Sequence, residues 1–327
     1  MELNSYAKLG GSTLKAWLSF METSELRVSE DADYTAIAKE DGKIIAAGSR
    51  CGRVLKYIAV DPNYQGLGLT GSILTALSRN AFENDIRHLF IYTKPENRLQ
   101  FEESRFYTVE QTDRVLLMEN KKDGIKNFIE SLPEAQGGVA GAVVMNCNPF
   151  TLGHRYLIEY AAARCDRLYA FILSEEKSLF SAADRLAMVK AGTRDIKKLT
   201  VLSTGDYLIS SASFPDYFLG SKSEASYEQC ALDCRIFAKH YAPRLGISIR
   251  FAGSEPLSAV TESYNRAMEE LLPAYGIEFR ELPRLKAEGD FISASKVRTL
   301  LGQGRKEELR KLLPLSTLNY LEEHGLV

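Results

Sequence analysis

Two short segments carry residue types suited to chemistry on a phosphate. Met145-Asn146-Cys147-Asn148-Pro149-Phe150-Thr151-Leu152-Gly153-His154 runs into Arg155-Tyr156-Leu157-Ile158, and Ile292-Ser293-Ala294-Ser295-Lys296-Val297-Arg298 lies far downstream. Each reads as a loop entering the first turn of a helix. There, unpaired N–H groups and the positive dipole end suit anions. Gly153 lets the backbone approach a phosphate closely. His154, in the first turn, can donate to an α-phosphate oxygen and stabilise charge as pyrophosphate leaves. Thr151 is expected to add a hydroxyl donor. Ser295 reads as the second N-cap, and with Arg298 one turn on it suits the β- and γ-phosphates. Asn148, Pro149, Phe150, Gly153 and Ser293 are the expected nucleotide-binding residues around this pair. Taken singly, a histidine at a helix start or a Ser-x-x-Arg cap is ordinary. Together and in this order they predict a site where a nucleotide triphosphate is held and cut.

The elements around these loops alternate. Strands are predicted at Val139–Met145, Leu168–Leu173, Leu199–Leu202, Ile247–Phe251 and Ile277–Glu281, with helices between them, the longest near Glu224–Tyr241. Such alternation implies a doubly wound α/β fold with a parallel sheet, whose ligands sit beyond the carboxyl ends of the strands. Upstream the pattern is α+β with an antiparallel flavour. Tyr34–Lys39 and Lys43–Ala47 flank an Asp-Gly turn signal. Val54–Val60 reads as a strand, Gly68–Phe82 as a helix, His88–Thr93 as a strand and Asn97–Ser104 as a helix. Phe106–Val109 and Val115–Met118 complete the region. Charge, Pro and Gly around residues 120–138 mark a seam. Two domains are therefore expected, 1–122 and 139–327, with 123–138 as a linker that could hold a short helix.

A chain of 327 residues with 45% hydrophobic and 26% charged residues is expected to be globular. A net charge of −2 gives no reason to expect nucleic acid or an anionic membrane as partner. Neither a membrane-length apolar run nor a signal-peptide layout is evident. Five irregularly placed cysteines suggest a reducing cytoplasm rather than a disulfide framework. Cys230 and Cys234 read as a helical core stripe, and no metal-ligand spacing appears.

The two opening segments resemble the HxGH and ISSTxxR motifs of the nucleotidyltransferase superfamily, with Thr151 where the first His often stands. That resemblance implies attack on the α-phosphate of a nucleotide and release of pyrophosphate, with Mg²⁺ assisting. The arrangement further resembles the citrate lyase ligase family. The stretches that carry this are Met145–His154, Phe180–Arg185, Gly205–Ser210, Ser213–Leu219, Gly253–Pro256 and Val260–Asn265. The family resemblance implies ATP-dependent joining of acetate to the thiol of the prosthetic group on the citrate lyase acyl carrier subunit, giving AMP and pyrophosphate. Ser181-Ala182-Ala183-Asp184 reads as a capping box. Beside it, Arg185 is expected to bind ATP, and with Lys177 it could meet phosphate or the acetate carboxylate. Phe214, Tyr217 and Phe218 could wall the adenine or pantetheine.

Upstream, Asp61-Pro62-Asn63-Tyr64-Gln65-Gly66-Leu67-Gly68-Leu69-Thr70-Gly71 follows a strand and opens a helix. It resembles the acyl-CoA loop of GNAT acetyltransferases, with Thr70 in place of the final small residue. Gln65, Gly66, Gly68, Thr70 and Gly71 are thus expected to hold the pyrophosphate of CoA or of the carrier's prosthetic group, a dephospho-CoA derivative. The usual GNAT general acid is missing: Asn97 is followed by Phe101, and Tyr107 comes late. Binding is therefore expected of this domain rather than acetyl transfer. Two other readings stay open, an adenylyltransferase of a small cofactor precursor and a regulatory protein sensing CoA and ATP.

Overall fold

The carboxyl ends of a parallel sheet gather both phosphate-type loops. The computed structural model describes residues 1–26, 28, 32–174, 178–209, 222–254, 259–287 and 290–326. The chain divides into two units, Met1–Asn127 with Ser211–Leu232, and Phe128–Ser210 with Asp233–Val327.

In the first unit, β1 (Glu2–Tyr6), α1 (Gly11–Thr23), β2 (Tyr34–Glu40), β3 (Lys43–Cys51) and β4 (Val54–Val60) precede α2 (Leu69–Glu83). Then come β5 (Phe90–Thr93), α3 (Arg98–Glu102), β6 (Tyr107–Gln111), β7 (Leu116–Glu119) and α4 (Gly124–Ser131). The sheet order is β1-β2-β3-β4-β5-β7-β6. Its neighbours are antiparallel except β4 and β5, which pair in parallel only at Val54–Phe90 and Leu55–Ile91. Beyond Leu55 the two strands part. Tyr57, at φ 56, marks the irregularity that bends β4 away. Leu69, Ile73, Leu74, Leu77 and Ala81 of α2 pack on Ile45, Leu55, Ile91 and Met118. The apolar spacing along Gly68–Phe82 had this purpose. β1 and α1 were not foreseen; β1 is an edge strand with nearly all its residues exposed, so it shows no alternation.

In the second unit, β8 (Ala140–Met145), α5 (Leu152–Ala162), β9 (Arg167–Ile172), α6 (Ala182–Gly192) and β10 (Leu199–Ser203) come first. α7 (Lys222–Ile236) continues through a π-helical turn at Phe237–Tyr241 into α8 (Ala242–Leu245). β11 (Ile247–Gly253), α9 (Ala259–Leu271), β12 (Glu278–Leu282), the short β13 (Lys286–Ala287) and β14 (Asp290–Phe291), α10 (Ala294–Gly302), α11 (Lys306–Leu309) and α12 (Leu315–Glu323) complete it. All pairs in the order β10-β9-β8-β11-β12 are parallel. The strand order reverses at β8, so the crevice beside its carboxyl end is the place where such a sheet binds a ligand. Ile158 and Ala161 of α5 share one buried cluster with Val143, Phe251, Val297 and Leu300. The same core therefore positions α5 and α10.

The segment expected as a linker holds the short helix allowed for there, α4, with Ile125 buried, and the two units divide within that helix. The C-terminal unit is also not one continuous stretch: α7 up to Leu232 groups with the first unit, where Thr112 donates to Glu228 at 2.6 Å. From Asp233 onward the helix serves the second unit. The buried Asp233 carboxylate accepts the Ile209 N–H at 2.6 Å and the Tyr264 hydroxyl, and burial raises its pKa to about 6.

Phe150 is wholly buried, and a Cβ on Gly192 would stand 2.5 Å from its ring. Gly192→Val should overpack this seam and destabilise the protein by about 1–3 kcal/mol, seen as a lowered thermal midpoint. Unchanged stability would contradict the close packing of α6 on the first loop.

Candidate active site

Thr151 caps α5 in an unusual reciprocal box. Its Oγ1 accepts the His154 N–H at 3.4 Å, and His154 Nδ1 accepts the Thr151 N–H at 3.0 Å. Thr151 Oγ1 also lies 2.9 Å from Nδ1. An Nδ1 that accepts a backbone N–H carries no proton, so the neutral ring bears its proton on Nε2. The Phe150 ring stacks alongside, centroids 6.1 Å apart and 17° from parallel. Burial, followed by the positive charge of Arg284, lowers the His154 pKa from 6.5 to about 4. The imidazole is therefore a neutral hydrogen-bond donor over the physiological range. Leu152 gives its N–H to the Leu312 carbonyl at 2.9 Å. With His154 N–H also used, the Gly153 N–H is the donor in this turn with no partner among the described residues.

α10 stands across from it. A Cβ placed on Gly153 would meet the Ile292 carbonyl at 3.5 Å, an ordinary contact, so the two loops lie side by side there. The N-cap of α10 is Ser293, not Ser295 as expected: Ser293 Oγ accepts the Lys296 N–H at 3.1 Å. Ser295 lies inside the first turn instead, where its Oγ accepts Arg298 Nη2 at 3.0 Å. Arg298 Nη1 reaches back to the Asn148 carbonyl at 2.7 Å. One guanidinium thus ties the two helix starts together across 150 residues of chain. The N–H groups of Ala294 and Ser295 have no partner among the described residues, which leaves them for an anion.

Other expectations change in role. The Thr151 side chain is buried and engaged with His154, so it orients that ring rather than presenting a hydroxyl outward. Arg185 is neither a solvated residue nor poised toward a ligand. It is completely buried, donating to the Asn146 Oδ1 at 2.6 Å, the Asn146 carbonyl at 3.1 Å and the Phe180 carbonyl at 3.2 Å. It fixes the strand-to-loop exit from beneath. Asn148 and Phe150 are likewise buried, as is Pro149, which follows a cis peptide bond. Asn148 Oδ1 accepts the Phe180 N–H at 3.2 Å, and the Phe150 carbonyl accepts Thr317 Oγ1 at 3.0 Å. These buried side chains shape the loop rather than reaching outward from it. Burial raises the Cys147 thiol pKa, which makes it a poor nucleophile. Lys177, Phe214, Tyr217 and Phe218 lie outside the described residues.

Arg284 was not foreseen. It follows β12, and its neighbour Leu285 accepts the Ile292 N–H at 3.1 Å, which sets it beside the α10 loop. Partial burial lowers its own pKa, and its charge acts on His154. A cation just past the carboxyl end of a parallel strand was the available signal.

In the first unit, a cavity of about 1180 Å³ fills the space where β4 and β5 part. Gln65, Gly66, Gly68, Thr70 and Gly71 all line it, with Tyr57 and Phe101 further in. Gly66 and Gly68 take φ 79 and 72, a conformation that favours glycine. Leu69, Thr70 and Gly71 at the start of α2 present N–H groups with no partner among the described residues. Thr70 is buried and its hydroxyl accepts from Gln100.

A splayed mixed sheet with a glycine loop, joined to a parallel sheet with paired anion-binding helix starts, defines a two-domain protein of GNAT-like and nucleotidyltransferase-like parts. Residues 140–321 match the model of the citrate lyase ligase C-terminal domain, and residues 9–100 match that of the acetyltransferase (GNAT) family. The chain is 39% identical to "[Citrate [pro-3S]-lyase] ligase" of Klebsiella pneumoniae over 92% of its own length and 90% of that protein's. With the Escherichia coli protein of the same name it shares 39% identity over 93% and 88%, and with that of Haemophilus influenzae 36% over 94% of each. The chain belongs to the citrate lyase ligase family, and it is an enzyme.

The lowered pKa of His154 sets its pH behaviour. The unfolded ring takes up a proton as pH falls through 6.5, whereas the folded ring waits until about 4. Stability linked to this group is therefore complete above 6.5 and is lost as pH falls toward 4. In imidazole NMR spectra, the resonance that disappears in His154→Asn should titrate near 4. A midpoint near 6.5 would refute the buried, neutral assignment.

Proposed function

We propose that this enzyme acetylates the thiol of the prosthetic group on the citrate lyase acyl carrier subunit, using acetate and ATP and releasing AMP and pyrophosphate. The observation that carries this reading is the neutral His154, its Nδ1 held by Thr151 so that Nε2 bears the proton, beside a Gly153 N–H with no partner among the described residues and opposite the α10 start. The carboxyl end of β8 then receives the α-phosphate, and the Ala294 and Ser295 N–H groups receive the β- and γ-phosphates. Arg298 holds the two loops at one spacing and adds positive charge.

An acetate oxygen attacks the α-phosphorus, and the bond from that phosphorus to the bridging oxygen breaks. Acetyl adenylate forms and pyrophosphate leaves. His154 and Gly153 donate to the non-bridging oxygens as charge builds on them, and one such donor contributes about 3 kcal/mol. In the second step the carrier's thiol sulfur bonds to the acetyl carbon, the acyl–phosphate bond breaks, and AMP departs. The thiol proton passes to solvent. No protein nucleophile is required. Mg²⁺ enters as part of the nucleotide substrate, held by its phosphates; among the described residues no group of three acidic, Cys or His side chains is placed to cage a metal. The reaction is assigned to the cytoplasm, consistent with five free cysteines and with the lack, among the described residues, of a helix able to cross a membrane.

The N-terminal cavity is assigned to the carrier's prosthetic arm, its pyrophosphate at Gln65–Gly71 and its pantetheine in the parting of β4 and β5. Phe101 has no proton to give, which supports binding over acetyl transfer. An adenylyltransferase acting on a cofactor precursor would have no use for acetate or for this second cavity.

Acetate-dependent exchange of labelled pyrophosphate into ATP tests the first step. The wild-type protein should show it without any carrier, and His154→Ala should reduce it about 100-fold or more, whereas His154→Asn, which keeps a side-chain acceptor for the Thr151 N–H, should lose less stability than His154→Ala. Exchange that ignores acetate would sink the ligase reading, and full exchange in His154→Ala would remove His154 from its role. For the cavity, Gly68→Glu should raise the KM for the carrier subunit severalfold and leave exchange intact. An unchanged KM would end the arm-binding assignment.

A further inference from the structure

We infer that Asn146 binds the carboxylate of acetate, with its side-chain amide turned and polarised by the buried Arg185. This rests on the proposed adenylation at the carboxyl end of β8 and names the subsite for the acid.

Asn146 is the first residue past β8 and is exposed, whereas Cys147 after it is wholly buried and takes a φ of 53. The chain turns inward at once and leaves the Asn146 side chain at the strand end. Arg185 decides which way this amide faces. Its Nη1 donates to Asn146 Oδ1 at 2.6 Å and to the Asn146 carbonyl at 3.1 Å. A guanidinium only donates, so the amide oxygen is the atom turned toward it. Nδ2 takes the other branch of the amide, and it has no partner among the described residues. A cation on Oδ1 draws electron density through the amide and strengthens Nδ2–H as a donor to an anion. Arg185 itself stays completely enclosed, so its charge acts on the crevice through Asn146.

The direction of attack selects the ligand. Pyrophosphate is assigned to the start of α10, and Arg298 of that helix holds the loop at the Asn148 carbonyl. Phosphoryl transfer sets the attacking and leaving oxygens roughly in line. Acetate must therefore approach the α-phosphorus from the side away from α10. In the order β10-β9-β8-β11-β12, α10 comes after β12, so the opposite side of β8 is that of β9. Arg185 belongs to α6, which follows β9, and the Leu173 N–H bonds the Met145 carbonyl at 3.1 Å. The chain leaving β9 thus runs beside Asn146, which offers its donor on the side from which the acid comes. One carboxylate oxygen accepts from Nδ2 and the other is left to attack. An exposed arginine would instead take both oxygens in its fork.

Pyrophosphate exchange by full-length variants tests this, with the KM for acetate and the KM for ATP measured separately. Asn146→Ala removes the donor, while Arg185 keeps the main-chain carbonyl there and those of Phe180 and Ser181 as acceptors. It should raise the KM for acetate about ten-fold and shift that for ATP less than about two-fold. Asn146→Asp keeps an acceptor for Arg185 but sets a charged oxygen where Nδ2 stood, so it should raise the acetate KM further. A merely structural Asn146 requires the opposite order, because Asp preserves the bond that Ala loses. An unchanged acetate KM in Asn146→Ala, a milder effect of Asp than of Ala, or an equal rise in both KM values would overturn the assignment. Acetate-dependent exchange by the wild type would still leave the ligase reading standing, whereas its absence would remove both.

Discussion

The Arg298 guanidinium, set between the Asn148 carbonyl and Ser295 Oγ, is the interaction on which the proposed nucleotide site depends. Two helix starts from distant parts of the chain must be held at a fixed separation if both are to address one triphosphate. Among the described residues no backbone hydrogen bond joins the two helix starts, so the tie falls to a side chain. The shared core beneath α5 and α10 sets the orientation, and Arg298 fixes the gap. Arg185 supports the same loop from below by donating to Asn146 and to Phe180. The first loop is thus gripped by two arginines. One is half-buried at its face and the other is wholly enclosed, with its donors satisfied mostly by main-chain carbonyls. An enclosed cation is tolerable only because these acceptors surround it.

Much of this was legible in the chain. The alternation of strands and helices from residue 139 gave a parallel sheet, and the rule that ligands sit at carboxyl ends placed both motifs together. The spacing Thr151-x-Gly153-His154 also predicted a helix start correctly. Division of labour within the motifs was less legible. Thr151 is a hydroxyl donor by type, but whether it faces a ligand or the neighbouring ring depends on a χ1 angle that sequence does not carry. Ser293 and Ser295 are equivalent as caps on paper. Only the point at which the backbone leaves its extended form at Ser293 decides between them. Arg185 was misread for a similar reason: its burial follows from how the loop returns over β8, a tertiary fact.

The first unit teaches the complementary lesson. Its glycine loop was readable because positive φ and close approach need glycine. The cavity itself follows from an irregularity in β4 at Tyr57, where a bulky residue holds a left-handed conformation that no local pattern foretells. The boundary between the units was similarly hidden. The stretch reads as one long helix, but Thr112 draws its first part to one unit while Asp233 binds Ile209 and Tyr264 in the other. Asp233 thereby joins two of the family-like stretches, Gly205–Ser210 and Val260–Asn265, through a single carboxylate.

The tautomer fixed by the Thr151 N–H also divides the enzyme's sensitivity to acidity between its two half-reactions. In the proposed two-step reaction, a ring held neutral down to about pH 4 would give the adenylation step a donor of constant strength above that pH. Thioester formation depends instead on the fraction of acceptor thiol that is ionised, which for an ordinary thiol rises toward a pKa of about 8.5. Falling pH would then leave the activated intermediate forming at full rate while its consumption slowed. The burden of protecting acetyl adenylate from water accordingly grows as the medium acidifies.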